Sequence, residues 1–383
     1  MTRRTFPPLL GSFPRRVFLF PTMLCNLRCA MCYSGANAPH TRALSPLGLK
    51  DYVTRIQELY AEGVREFDIS GGEPLISSWL PDLVAEIKRL PDTVVDLVTN
   101  GTLVTQRGAN LDRLHGLVDT VHVSFDSPDP ATHDTIRGRR GAHARALEGI
   151  RDLVARGFPV VGINMVLMRS NYREVRGLLD IATCMGVRHV NLLRLLDVIP
   201  AGELADEVLG TSEYTETLDA VREWLLDGPA VTALDVTLVL PGYVGYELRP
   251  RDRRCDTPRG RLRTELDPLR GCFAFRNSLV LTSTGAITGC TALVQQPGWV
   301  TKDPGDVVGT VREAWARGQQ RIKAREDLLH SQEPCGSCGA WAICRGGCPA
   351  TAENYFGTPD APDPTCARVD VDRVREVRGG VHG

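Results

Sequence analysis

Val17-Phe18-Leu19-Phe20, an apolar run with the composition of a strand, is followed closely by Cys25-Asn26-Leu27-Arg28-Cys29-Ala30-Met31-Cys32. Spacings of four and three place three thiols in one short loop after the expected strand and leave out a fourth. A 4Fe–4S cluster has four irons, each wanting a terminal ligand, so three cysteines leave one iron open to something that is not protein. An open iron means chemistry at the cluster, whereas a closed four-cysteine site stores an electron or clamps the chain. Structural zinc is the competing reading, but it wants four ligands. No fourth cysteine lies nearby, and His40 is a lone candidate.

Beyond this stretch, strand and helix signals alternate. Strands are expected at Val17–Phe20, Glu66–Ser70, Val94–Thr99, His122–Phe125, Val160–Met168 and His189–Leu193, with amphipathic helices between them. One helix is expected to begin at Ser45-Pro46, a cap and a first-turn proline, and to end near Gly63. Others are expected at Trp79–Leu90, Leu111–Leu117, Ala144–Arg156, Tyr172–Met185 and Glu213–Leu226. Six strand–helix units in series imply parallel strands with right-handed crossovers, and six are too few for a closed eight-stranded barrel. The expected fold is therefore α/β, a partial (β/α)6 TIM-like barrel over residues 1–228, with ligands at the C-terminal strand ends. After Pro229 the helical periodicity fades and Pro, Gly, Arg and Cys become frequent. This predicts a connector over 229–271 and a smaller, irregular, cysteine-rich domain over 272–383, held together by metal. Within it, Leu279–Thr282 and Ala286–Thr288 are expected to pair around the turn Ser283-Thr284-Gly285.

Composition excludes several classes. The chain has 383 residues, 43% hydrophobic and 24% charged, with a net charge of −1, so neither a nucleic-acid nor a membrane-surface partner has an electrostatic footprint. The local basic run Arg249 to Arg263 reads as a solvated loop. No apolar stretch is long enough to span a bilayer. Thr2-Arg3-Arg4-Thr5-Phe6 is faintly similar to a twin-arginine export signal, but Pro7 and Pro8 follow and no long apolar region does. The expected location is the cytoplasm, where clustered thiols among the twelve cysteines read as metal ligands.

Three further segments end expected strands at the same mouth: Ser70-Gly71-Gly72-Glu73-Pro74, Asn100-Gly101 and Ser124-Phe125-Asp126. Taken alone, the first is a glycine turn that lets backbone approach a ligand. Together with Cys-x3-Cys-x2-Cys after the first strand, the set resembles the radical S-adenosylmethionine (SAM) superfamily. The resemblance implies that Cys25, Cys29 and Cys32 hold a SAM-binding 4Fe–4S cluster. It implies that Gly71, Gly72 and Glu73 meet the methionine amine, with Asn100 facing the same mouth. Ser124 and Arg137, from Ile136-Arg137-Gly138, would hold the carboxylate, and a guanidinium fork suits that task. Asn164 and Leu193 would line ribose and adenine, and Met31 stands where the family often has an aromatic residue.

The remaining cysteines carry a second pattern. Cys272 is followed by Gly285 and Cys290, then Cys335-x2-Cys338-x5-Cys344-x3-Cys348, and finally Cys366. A zinc ribbon would use Cys335 and Cys338 with one other pair and leave three thiols without a role. The order of seven resembles the SPASM extension found on some radical SAM proteins. That resemblance implies two auxiliary 4Fe–4S clusters: a complete one at Cys335, Cys338, Cys344 and Cys366, and a nearer one at Cys272, Cys290 and Cys348. The nearer set is one ligand short, with Cys255 the candidate replacement and substrate or water the alternative. Cys184 reads as a small buried apolar residue.

The family resemblance further implies one-electron cleavage of SAM to a 5′-deoxyadenosyl radical that abstracts hydrogen from a substrate C–H bond. Auxiliary clusters would accept the electron released on oxidation, so cross-linking, thioether formation or dehydrogenation is expected of this oxidoreductase or maturase. Thr291 follows the second SPASM cysteine where relatives that oxidise an alcohol or thiol to an aldehyde carry an aspartate, which argues against that outcome. Asp126 and Asp197 are candidates for a base. The substrate is expected to be a ribosomally made peptide, with a small-molecule natural product such as an aminoglycoside or nucleoside as the alternative. An iron–sulfur electron carrier that never cleaves SAM is the competing class. Expected partners are an external flavodoxin- or ferredoxin-like electron donor and a separate leader-peptide-binding protein, since little chain precedes Val17.

Overall fold

The computed structural model describes residues 13–36, 46–196, 204–227, 234–240, 254–266, 272–294, 296, 299, 311–366 and 368–369. Six strands lie side by side in chain order, all parallel: β1 (Arg16–Thr22), β2 (Glu66–Gly71), β3 (Val94–Thr99), β4 (Thr120–Ser124), β5 (Val161–Leu167) and β6 (His189–Arg194). Between them run α1 (Leu49–Ala61), α2 (Leu80–Lys88), α3 (Gly108–Leu114), α4 (Pro130–Arg137), α5 (Ala142–Ala155) and α6 (Val175–Cys184), with α7 (Thr211–Leu226) after β6. Side chains alternate along each strand. Leu19, Ile69, Leu97, Val123, Ile163 and Val190 enter the main apolar core, while Asp68, Asp96, His122, Asn164 and His189 occupy the alternate positions. The sheet thus has one apolar face and one polar face, and the polar face is the inside of the open barrel.

Element positions follow the expected (β/α)6 pattern closely, with two differences. Among the described residues the sheet grows past six strands into a single sheet of eleven. β7 (Leu234–Leu240) pairs with β6, β9 (Gly260–Leu266) pairs with β7, and β8 (Arg254–Thr257) forms the antiparallel edge. At the opposite edge, β10 (Val280–Leu281) joins β1 in parallel and carries β11 (Ile287–Thr288), the hairpin expected from the turn at Gly285. The arginine run read as a solvated loop is in part the β8–β9 hairpin. Its charges are held in register by Arg261–Asp235 at 2.6 Å and Arg263–Asp256 at 2.7 Å, and Leu262 between them is fully buried.

The second difference is in the helices. α1 starts at Leu49, with Gly48 as its cap; Ser45 and the expected boundary at 228/229 lie outside the described residues. α4 and the long α8 (Val311–His330) were not expected, and the short α9 (Trp341–Cys344) and α10 (Pro349–Phe356) follow. Among the described residues no helix is long and apolar enough to cross a membrane.

Candidate active site and auxiliary thiol sites

The loop after β1 is pinned by backbone on two sides. Gly72 N–H donates to Thr22 O and Glu73 N–H to Leu24 O, both at 2.8 Å. From the other side, Arg28 N–H donates to Arg137 O at 3.3 Å and Ala30 N–H to Ile136 O at 3.0 Å. Gly72 has no room for a side chain, because a Cβ there would sit 2.1 Å from Leu24 O. The half-buried thiols of Cys25, Cys29 and Cys32 are each met by a polar group. Leu27 N–H and Asn100 Nδ2 approach Cys25 Sγ at 3.4 and 3.8 Å, Arg137 approaches Cys29 Sγ at 3.7 Å, and Ser34 Oγ lies 3.4 Å from Cys32 Sγ.

Glu73 is a brace. Its buried carboxylate accepts from Thr99 Oγ1 at 2.7 Å, Asn100 N–H at 2.8 Å and Leu75 N–H at 3.1 Å, tying the end of β2 to the end of β3. Burial pushes this carboxyl above its usual range, and those three donors oppose the shift. Asn100 extends the brace to the thiol loop through Asn26 Oδ1 at 2.9 Å. Asn26 and Thr99 went unnoticed in the sequence because single polar residues there carry no spacing signal.

Arg137 ends α4 and is 7% exposed, while Asp126 beyond β4 is fully buried. They form an ion pair at 2.5 Å, and Asp126 also accepts Val166 N–H at 3.0 Å. Burial raises the Asp126 carboxyl and Arg137 pulls it back. For Arg137, burial works against the charge, but Asp126 and Cys29 outweigh it and hold the guanidinium above its ordinary range. Asp126 is thus occupied in aiming Arg137, a geometry unsuited to the free base expected from its strand-end position. Asp197 lies outside the described residues.

Ser124, Asn164 and Asn191 are in register across β4, β5 and β6, and Asn191 Nδ2 donates to Asn164 Oδ1 at 2.8 Å. Leu193 lies two residues further along β6, beside Val166. Met31 is buried with Ile136, Met168, Leu195 and Leu204. The residues expected around SAM therefore share one rim of the barrel.

The C-terminal thiols form a second group. Cys335, Cys338, Cys344 and Cys366 line one cavity, together with Trp341, Gly346 and Asp363. Burial pushes the Cys335 thiol up to about 11, with Cys366 adding to the shift and Arg325 opposing it. Burial likewise takes Cys344 up to about 12, and Asp363 and Cys366 add to it. Burial also raises Cys25 to about 12. Without metal these thiols keep their protons, and a bound cation reverses that preference. Among the described residues no three such side chains converge as one ion would require. A four-iron cluster gives each thiolate its own iron, and four thiols lining one cavity match that ligand count.

Cys272 and Cys348 border the main core, and Cys290 is buried within it. Cys348 N–H donates to Asp363 Oδ2 at 2.9 Å. Cys255 packs against the same main core but lies apart from them in the sheet order. It sits on β8 opposite Leu262, and so on the helix-facing side, at the far edge of the sheet from β10 and β11. Its strand pairing fixes it there. Cys184 is exposed, contrary to its reading as a buried residue, because it falls at the end of α6.

The radical SAM superfamily description matches residues 19–182. Over 372 residues the chain is 34% identical to a PqqA peptide cyclase of Streptomyces rochei, covering 94% of this chain and 90% of that one. The chain belongs to the radical SAM superfamily. Within it, the chain is of the SPASM type. It is also 25% identical to an AdoMet-dependent heme synthase of Nitratidesulfovibrio vulgaris, over 90% of each chain. Among solved structures, Streptococcus suis SuiB bound to S-adenosylmethionine shares the fold, with a TM-score of 0.72 and 18% identity over 93% of this chain and 78% of that one. As a radical SAM enzyme the chain uses SAM and a 4Fe–4S cluster, with the auxiliary clusters typical of its SPASM relatives.

Proposed function

We propose that this radical SAM enzyme oxidatively modifies a ribosomally made peptide, forming a cross-link, a thioether or an unsaturation. The observation that carries this reading is the pairing of a three-thiol loop at the barrel rim with a four-thiol cavity beyond it. The first set is suited to chemistry and the second to taking up an electron. The 34% relative that cyclises a peptide supports the substrate class. When bound, the cluster and SAM supply a 5′-deoxyadenosyl radical that removes hydrogen from a substrate C–H bond.

The chain's own part is positioning. Cys25, Cys29 and Cys32 hold the SAM-binding cluster, and Gly71, Gly72 and Glu73 shape the amine end of the SAM site with Asn100 behind them. Arg137, aimed by Asp126, offers charge toward the carboxylate beside Ser124. Asn164, Leu193 and Met31 form the nucleoside side. Cys335, Cys338, Cys344 and Cys366 would hold one auxiliary cluster, and Cys272, Cys290 and Cys348 the other, with Cys255, substrate or water as its further ligand. A flavodoxin- or ferredoxin-like protein supplies the electron, and a separate protein can present the peptide leader.

Anaerobic reconstitution tests the whole reading. The expected result is about twelve irons per chain, four per cluster, and 5′-deoxyadenosine on incubation with SAM and reductant. A candidate precursor peptide should lose about two hydrogens by mass per bond formed, since each oxidative bond releases two electrons and two protons. No 5′-deoxyadenosine would exclude the enzyme. The heme synthase relative favours a second reading, a small-molecule substrate. Turnover with such a molecule and none with peptides would establish it.

A further inference from the structure

A charge taken out of water costs stability unless an opposite charge answers it. Arg325 on α8 is only 2% exposed. Its five N–H donors go to five backbone carbonyls. Nε donates to Pro359 O at 2.5 Å. One terminal nitrogen donates to Arg345 O and Gly347 O, both at 3.4 Å. The other donates to Gly346 O and Ala361 O, both at 2.9 Å. Carbonyl dipoles satisfy the hydrogen bonds but leave the net charge in place. No carboxylate among the described residues pairs with this guanidinium. The adjacent Glu326 is taken by Arg276, which reaches both of its oxygens at 2.6 Å, and by Arg345 at 3.2 Å.

The carbonyls belong to two ligand-bearing loops. Residues 345–347 lie between Cys344 and Cys348, and residues 359–361 lead through Asp363 to Cys366. Asp363 completes the junction by accepting from Cys348 N–H at 2.9 Å and from Thr365 N–H at 3.0 Å. Gly346 and Asp363 line the same cavity as Cys335, Cys338, Cys344 and Cys366. Four thiolates make a four-iron site anionic, and reduction makes it more so. An unanswered buried cation therefore stands against a cavity suited to an anionic group.

We infer that Arg325 is the buried counter-charge of the cluster held by Cys335, Cys338, Cys344 and Cys366, a positioning residue that also sets that cluster's reduction potential. The inference rests on the assignment of those four cysteines made above. A nearby positive charge stabilises the reduced cluster, so it raises the potential.

The test compares reconstituted full-length wild type with Arg325→Gln and Arg325→Lys. Iron content is measured, and a redox titration is followed by electron paramagnetic resonance. Formation of 5′-deoxyadenosine reads the Cys25 site separately. In Arg325→Gln the four-cysteine cluster should titrate at a more negative potential, with Arg325→Lys recovering much of the shift. If Arg325→Gln cannot hold that cluster, its iron should fall by about four per chain while Arg325→Lys keeps it, which supports the same role. An unchanged potential in Arg325→Gln, or equal loss of the cluster in both variants, overturns the counter-charge. A wild type that forms 5′-deoxyadenosine yet holds only about four irons overturns the cysteine assignment, and the counter-charge with it. A wild type that holds all its iron but forms no 5′-deoxyadenosine contradicts the enzyme reading alone.

Discussion

Cys29, Arg137 and Asp126 form a short chain of contacts, with Arg137 reaching a thiol at one end and a fully buried acid at the other. Asp126→Asn keeps the shape and removes the charge. It should cost about 3–5 kcal/mol of stability, the usual loss when one partner of a buried pair is removed. It should also raise the SAM concentration for half-maximal 5′-deoxyadenosine formation roughly tenfold, about 1.4 kcal/mol. An unchanged KM would show that Arg137 does not act on SAM. Gly72→Ala tests the neighbouring contact. The new Cβ would fall 2.1 Å from Leu24 O, so the strand or the thiol loop must shift, at about 1–3 kcal/mol and with reduced SAM cleavage. Full activity with wild-type denaturation behaviour would refute that. At this scale strand-end positions marked Gly71, Gly72, Glu73, Asn100 and Ser124, while Arg137, Asn164, Leu193 and Met31 were marked by the family resemblance. The sequence could not show that Asp126 faces Arg137, because that contact depends on α4. Each cue for α4 is a single residue: the Asp129 cap, Pro130 in the first turn and Gly138 at φ 63°.

Among the elements, α8 is the spine of the C-terminal region. It buries Val311, Ala314, Trp315, Gly318, Ile322, Arg325, Glu326 and Leu329. That is helical spacing, but the stripe includes a glycine and two charged residues, so an apolar periodicity search passes over it. β7 is the opposite case. Leu234, Val236, Leu238 and Leu240 alternate cleanly and are all buried, and only the glycine- and proline-rich surroundings hid the strand. On α8, Glu326 ties Arg276, four residues after Cys272, to Arg345, next to Cys344. Glu326→Gln leaves two guanidinium groups without their shared acid. It should destabilise the chain by about 3 kcal/mol and lower iron loading at the auxiliary sites, while the Cys25 site keeps its resonance signal. Wild-type iron content and unchanged unfolding midpoints would contradict this.

Across the whole molecule, the sheet divides its burden between an apolar outer layer and a polar interior, and the interior sets the response to acid. Burial, reinforced by the neighbouring His189, holds His122 down to about 3, and burial with nearby Arg137 does the same to His133. Gly162 lets His122 and His189 meet across β5, since a Cβ there would lie 2.4 Å from the His122 ring. A histidine depressed in the folded state takes up its proton only on unfolding, so below its unfolded value near 6.5 each loses about 1.4 kcal/mol of stability per pH unit. Asp68 works the other way. Burial raises its carboxyl to about 7 against the pull of Arg16, so the folded chain binds that proton first and gains stability as pH falls from 7 toward the unfolded value. Asp68 therefore offsets one of the two histidines between pH 6.5 and 4, and the raised carboxyls of Glu73 and Asp126 act in the same direction as Asp68. His122→Gln should flatten the loss of stability on acidification and Asp68→Asn should steepen it, each by roughly 1 kcal/mol per pH unit. Urea unfolding followed by circular dichroism at pH 7.5, 6.0 and 5.0 measures both slopes on the same chain. Parallel slopes for the two variants would mean that these interior groups do not set the acid limit of the fold.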